Sequence, residues 1–151
     1  MNLSIFTLAM GILYSTFAAA ESCDFEKSLK ALALNIYHEA RGEGVYGMQM
    51  VGEVTLNRVY SDHYPDNICK VVYQRGQFSW VRNKKDHIPK EIGAWVMSVE
   101  IAYDLLTGKA DYFDNGATHY YNPDLVKRPY WALNKYKVGV VGDHVFYSIE
   151  P

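Results

Sequence analysis

The run from Leu29 to Gly44 constrains the fold most, because a helical stripe leads straight into a pair of glycines. Leu29, Leu32, Ala33, Ile36 and Tyr37 recur at helical spacing and form one apolar face. Gly42 and Gly44 break that period, so the helix must stop and the chain must turn there. Glu39 falls in the last helical turn. The helix dipole disfavours an anion at that end, and the apolar face beside it makes ionisation harder still. A carboxyl held in this way is what an acid catalyst near neutral pH requires. The stretch therefore points to a site that delivers a proton to a breaking bond. The plainer reading is a surface glutamate paired with Arg41 or a nearby lysine.

The rest of the pattern predicts an α+β domain. A first helix covers residues 25–40 and a second covers 46–60, with Met50, Val51, Val54 and Val59 partly on one face. Residues 61–65 connect to a short helix over 66–73, and 76–81 is extended or looped. Pro89 opens a longer helix that runs to about Leu106 and stops at Gly108. Trp95, Val99, Ala102 and Leu106 give it a core-facing stripe. Residues 117–121 form a short strand. Residues 138–141 and 144–147 flank Gly142-Asp143 as a β-hairpin. The result is a mainly helical first part with a small antiparallel sheet at the end.

With 151 residues the chain has room for one domain. A net charge of -2 gives no electrostatic case for nucleic acid. Residues 5–17 are apolar and Ala18-Ala19-Ala20 follows, so 1–20 reads as an export signal cut after Ala20, leaving 21–151 as the working domain. A releasable membrane anchor is the alternative; the run is short for a stable span, and none is expected after processing. In an oxidising compartment Cys23 and Cys69 are a candidate disulfide, the other reading being two free thiols. The five histidines, at 38, 63, 87, 119 and 144, show no H-x-x-x-H pair, so no metal or other cofactor is expected.

Several segments carry a resemblance. Ile36-Tyr37-His38-Glu39-Ala40-Arg41-Gly42-Glu43 resembles the signature of the SleB-type cell-wall hydrolases, the family of spore-cortex-lytic enzymes. Val51-Gly52-Glu53-Val54-Thr55-Leu56-Asn57-Arg58-Val59, Val71-Val72-Tyr73-Gln74, Gln77-Phe78-Ser79-Trp80 and Ala117-Thr118-His119-Tyr120-Tyr121-Asn122-Pro123 follow in the family's order. The resemblance implies a compact catalytic domain distantly similar to lysozyme-like transglycosylases. It also implies an exported enzyme, in the periplasm, envelope or outside the cell, whose partner is the peptidoglycan glycan strand. We expect it to act as a monomer.

On this reading Glu39 aligns with the family's catalytic glutamate. Glycosidic bonds break through an oxocarbenium-like state and need a proton on the leaving oxygen. Lytic transglycosylases can manage with one glutamate, as acid and then base, so the second carboxylates Glu43 and Glu53 are only auxiliary candidates. Glu43 reads better as a structural group bonding the start of the second helix. Gln77, Phe78, Ser79 and Trp80, with Thr118, His119, Tyr120, Tyr121 and Asn122, offer amides, hydroxyls and rings suited to N-acetyl sugars. Core packing is the rival role, above all for Phe78 and for one of the two tyrosines, since neighbouring strand residues face opposite ways. Asn57 and Arg58 read as a cap or hydrogen-bond bridge. Two other functions compete: a zinc amidase that cuts the muramoyl–peptide link, and a non-catalytic peptidoglycan-binding module.

Overall fold

The computed structural model describes residues 22–149. The export segment expected at 1–20 lies outside them. Helix α1 (Phe25–Ala40) starts where Asp24, in extended backbone, accepts a hydrogen bond from the Lys27 N–H at 2.9 Å. Leu32, Ala33 and Ile36 on its stripe are fully buried, and Tyr37 nearly so.

Helix α2 (Gly44–Tyr60) is the centre of the domain. Its sequence suggests one apolar face, yet Gly47, Met48, Met50, Val51, Gly52, Glu53, Val54, Thr55, Leu56 and Arg58 are all buried. The reason is that α1, α3 (Ile68–Val72) and α4 (Ile92–Thr107) all pack against it. Gly52 permits the closest approach: a Cβ there would sit 2.5 Å from Leu105 Cδ1 and 3.0 Å from Ile36 Cδ1. Gly52→Ala should therefore push α1, α2 and α4 apart and cost about 1–3 kcal/mol by overpacking, read from denaturant midpoints. An unchanged midpoint would mean that the two side chains rotate away without strain.

Three elements differ from the sequence expectation, each for a local reason. Helix α4 begins at Ile92, so Pro89 lies outside its first turn. The segment before it is extended, with Glu91 as the N-cap at φ -99° and ψ 98°, and the buried Tyr37 hydroxyl accepts the N–H groups of Lys90 and Glu91 there at 3.0 and 3.1 Å. Helix α3 starts two residues later than expected because Asn67 caps it, accepting from the Lys70 N–H at 3.0 Å. Within the piece expected as extended or looped, Ser79–Arg82 is a 3-10 turn, which folds Trp80 inward to reach Asn35 Oδ1 at 3.3 Å. Helix α4 does end at Gly108. A disulfide between Cys23 and Cys69 ties the start of α1 to α3.

The sheet contains β1 (His119–Tyr121), β2 (Lys137–Val141) and β3 (His144–Tyr147), antiparallel in the order β1-β3-β2. Tyr120 pairs with Phe146, and β2 carries an irregularity between Lys137 and Gly139. Strand β3 is buried on both faces. Phe146 joins the helical core, whereas Val145 and Tyr147 form a second cluster with Ala132, Tyr121 and Trp131. Among the described residues no helix is long and apolar enough to cross a membrane.

Candidate active site

The end of α1 and the strand β1 meet at Glu39. The Tyr120 hydroxyl donates a hydrogen bond to Glu39 Oε2 at 3.2 Å. Burial raises the Glu39 carboxyl above its ordinary value, against the Tyr120 hydrogen bond and the Arg58 charge, which both lower it. Desolvation, as expected from the apolar face beside the helix end, is the largest cause. Burial also raises the Tyr120 hydroxyl well above its ordinary value, and the nearby Glu39 charge adds to this, so Tyr120 remains a donor at physiological pH.

Arg58 supplies the positive charge of the site. Only 6% exposed, it donates from Nε to the Thr118 carbonyl at 2.8 Å and from Nη1 to Gln77 Oε1 at 3.2 Å. Its guanidinium also lies over the rings of Tyr64 and Phe78, at 5.4 and 5.8 Å. Burial lowers its pKa, and Tyr120, Tyr64 and Glu39 oppose that shift. Next to it, Asn57 donates from Nδ2 to the Ala117 carbonyl at 2.8 Å and accepts from the Tyr112 hydroxyl. The pair bridges α2 to the chain entering β1. The electrostatic part of Arg58 escapes sequence reading because 19 residues separate it from Glu39. Its one signal is a cation set among the apolar residues of α2.

The other carboxylates are held elsewhere. Glu53, 1% exposed, accepts from Gln49 Nε2 at 2.8 Å and from the Phe113 N–H at 3.2 Å, so it anchors the loop before β1. Burial raises its pKa in turn. Glu43 does not cap α2 as expected; its side chain makes no cap hydrogen bond. It accepts instead from the Asp143 N–H at 2.6 Å, across the tip of the β2–β3 turn.

The expected sugar contacts divide by burial. Trp80 and Phe78 are each 5% exposed and belong to the main core, so neither ring presents a face to a sugar. Trp80 stacks instead on His38, with centroids 4.8 Å apart. Thr118 is also buried; its hydroxyl donates to the Ile149 carbonyl at 2.6 Å and fastens β1 to the segment after β3. Gln77 and Ser79 are exposed, and His119, Tyr121 and Asn122 are half-buried. Of the two tyrosines, Tyr120 faces Glu39, while Tyr121 stacks on Tyr147 at 6.0 Å on the opposite face. Asn122 Oδ1 accepts from the Asp124 N–H at 2.8 Å in a local turn.

His119 rests near Trp131, with centroids 4.9 Å apart, and its Nδ1 lies 3.0 Å from the Thr118 hydroxyl. Burial, then the Arg58 charge, lower its pKa to about 4. The unfolded chain therefore binds a proton on this residue before the folded one does. Stability from neutral His119 is complete above the unfolded value and is lost as pH falls toward about 4. His119→Gln should flatten the dependence of melting temperature on pH in that window; an unchanged slope would assign the acid sensitivity to other groups. Among the described residues no group of three or more His, Cys, Asp or Glu side chains converges as a metal ligand set.

The profile of the Cell Wall Hydrolase family matches residues 42–147, beginning just past Glu39. The spore cortex-lytic enzyme of Halalkalibacterium halodurans is 29% identical over 121 residues, which is 80% of this chain and 34% of that one. The spore cortex-lytic enzyme of Bacillus subtilis is 28% identical over 119 residues, 78% of this chain and 36% of that one. The chain thus spans about a third of the length of these curated relatives. The catalytic domain of the germination-specific lytic transglycosylase SleB from Bacillus anthracis superposes with a TM-score of 0.67 at 25% identity, over 85% of this chain and 99% of that one. The catalytic domain of the Bacillus cereus SleB protein superposes with a TM-score of 0.63 at 24% identity, over 81% of this chain and 90% of that one.

Proposed function

Because the chain belongs to the Cell Wall Hydrolase family, we propose that it cleaves the glycan strands of peptidoglycan as a lytic transglycosylase, with Glu39 as acid and then base. One observation carries this reading. The half-buried Glu39 carboxyl, raised in pKa, is gripped by Tyr120 beside Arg58, while Glu43 and Glu53 are committed to backbone N–H groups elsewhere. That arrangement suits a one-carboxyl mechanism.

The protonated Glu39 gives its proton to the oxygen bridging N-acetylmuramic acid and N-acetylglucosamine. The bond from that oxygen to the muramoyl C1 breaks, and C1 passes through an oxocarbenium-like state. The substrate's acetamido group steadies the cation. Glu39, now a carboxylate, is stabilised by the Tyr120 hydrogen bond and by the Arg58 charge, the same two influences that lower its pKa. It then takes the proton from the muramoyl C6 hydroxyl. That oxygen bonds C1 and closes a 1,6-anhydro ring, and Glu39 ends protonated as it began. Tyr120 holds Oε2, which leaves Oε1 to carry the proton. Exposed Gln77 and Ser79, with half-buried His119 and Asn122, supply polar groups to the sugars. The site of action is the cell envelope or its exterior, where such strands lie, and the chain works there as a monomer.

Mass spectrometry of the fragments released from purified peptidoglycan tests this. Fragments lighter by one water than the hydrated muropeptides, absent with Glu39→Gln, are the expected result. Hydrated fragments with new reducing ends would replace the C6 hydroxyl with water as nucleophile. Free stem peptides would overturn the reading in favour of an amidase, and no release at all would favour a binding module.

A further inference from the structure

Glu43 takes no chemical part in that reaction, yet its side chain is only 12% exposed and sits across the tip of the β2–β3 turn. Its Oε2 accepts from the Asp143 N–H at 2.6 Å. Gly142, at φ +56°, lies directly beneath: a Cβ there would stand 2.1 Å from Oε2. Only glycine allows the turn to come so close. Two residues after that glycine, His144 is 10% exposed at its side chain, and its Nδ1 lies 3.7 Å from the same oxygen. The His144 ring meets the Tyr120 ring edge-on, with centroids 5.1 Å apart. Tyr120 in turn holds Glu39. A continuous chain of contacts thus runs from the corner after α1, through the turn, and back to the end of α1.

We propose that Glu43 is a positioning residue: it clamps the β2–β3 turn to the α1–α2 corner and so holds His144 and Tyr120 in place against Glu39. The inference rests on the reading of Glu39 as the acid. The clamp explains why a carboxylate lies four residues beyond the acid without serving as a second catalyst. It also explains how a hairpin about a hundred residues away in sequence becomes part of the site. The groups that face Glu39 are Tyr120 from β1 and Arg58 from α2; those that face His144 are Glu43 and Asp143.

The test reads the Glu39 carboxyl directly, by carbon-13 NMR titration of the whole protein, with Glu39→Gln identifying the signal. Glu43→Ala frees the turn and lets water reach Glu39, so the Glu39 midpoint should fall toward that of an ordinary glutamate. Glu43→Gln keeps an acceptor for the Asp143 N–H and should retain the wild-type midpoint. Cleavage of glycan by Glu43→Ala should drop about 10- to 100-fold in kcat through misplacement of the acid. Adding Tyr120→Phe to Glu43→Ala should cost little more, because both act on one contact. Should Glu43→Ala fail to fold, Glu43→Asp, one methylene too short to reach the turn, carries the same expectation. An unmoved Glu39 midpoint in a folded Glu43 variant overturns the proposal, as do losses that multiply with Tyr120→Phe. If Glu39→Gln remained active, the acid assignment would fail, while the titration would still report whether the clamp exists.

Discussion

Replacing Glu39 with Gln should lower the release of glycan fragments by about 10²–10⁴-fold while leaving the fold intact. Glutamine keeps the size of the side chain and can still accept from the Tyr120 hydroxyl, so packing at the end of α1 is preserved. What it lacks is a proton to give and a charge to take one back. The same variant should melt at a higher temperature than the wild type at neutral pH and above. Burial raises the Glu39 pKa on folding, so the folded chain resists losing this proton. The wild type is therefore least penalised below the unfolded value and loses stability as pH rises through the folded one. Glutamine never ionises and avoids that loss, so the two melting curves should converge in acid. Such a trade of stability for activity is common where a site holds a group in an unfavourable state. Activity within threefold of wild type would remove Glu39 from the chemistry. Equal melting temperatures across the pH range would mean that its burial costs nothing.

Opening the disulfide should be the most damaging single change to stability. Cys23 and Cys69 close a loop with a sequence separation of 46. Chain-entropy arguments put the stabilisation from such a loop at ~4 kcal/mol, with measured cases spanning roughly 0–5. For a domain of this size, Cys23→Ser should lower the melting temperature by roughly 10–20 °C. The bond lies at the start of α1, whereas Glu39 lies at its other end. Residual activity at low temperature should therefore remain close to wild type, and the pH dependence of cleavage should not shift. Comparing oxidised and reduced protein by calorimetry checks the first point. A melting temperature insensitive to reductant would show that α1 and α3 hold together by packing alone, through Leu34, Ile68 and Val72.

Helix α1 and the carboxyl in its last turn were legible because their signals are local. The 3.6-residue stripe, the glycines after it and a carboxyl in the last turn all lie within one window of sequence. The hairpin was legible for the same reason, with Gly142-Asp143 between two apolar runs. One boundary moved for a local reason, the Asn67 cap of α3. The segment before α4 is instead held by the hydroxyl of Tyr37, more than fifty residues upstream. Trp80 turns inward because Asn35 waits in the core, which no property of Gln77-Phe78-Ser79-Trp80 reveals.

The site divides in the same way. Local sequence could nominate Glu39 and argue from the helix end and the apolar face beside it that it resists ionisation, but not what covers it. Burial at Glu39 depends on β1 folding back over the end of α1, and that is a matter of tertiary packing. Which of Tyr120 and Tyr121 meets the acid follows from strand register, fixed by the pairing of Tyr120 with Phe146. Arg58 and Glu43 acquired their partners, Thr118 and Asp143, across 60 and 100 residues. Periodicity, caps and turns are written within a few neighbouring residues, so the elements and the place of Glu39 at a helix end could be read there. Desolvation and hydrogen-bond pairing belong to groups far apart along the chain, and they exist only once the helices and the sheet have closed around them.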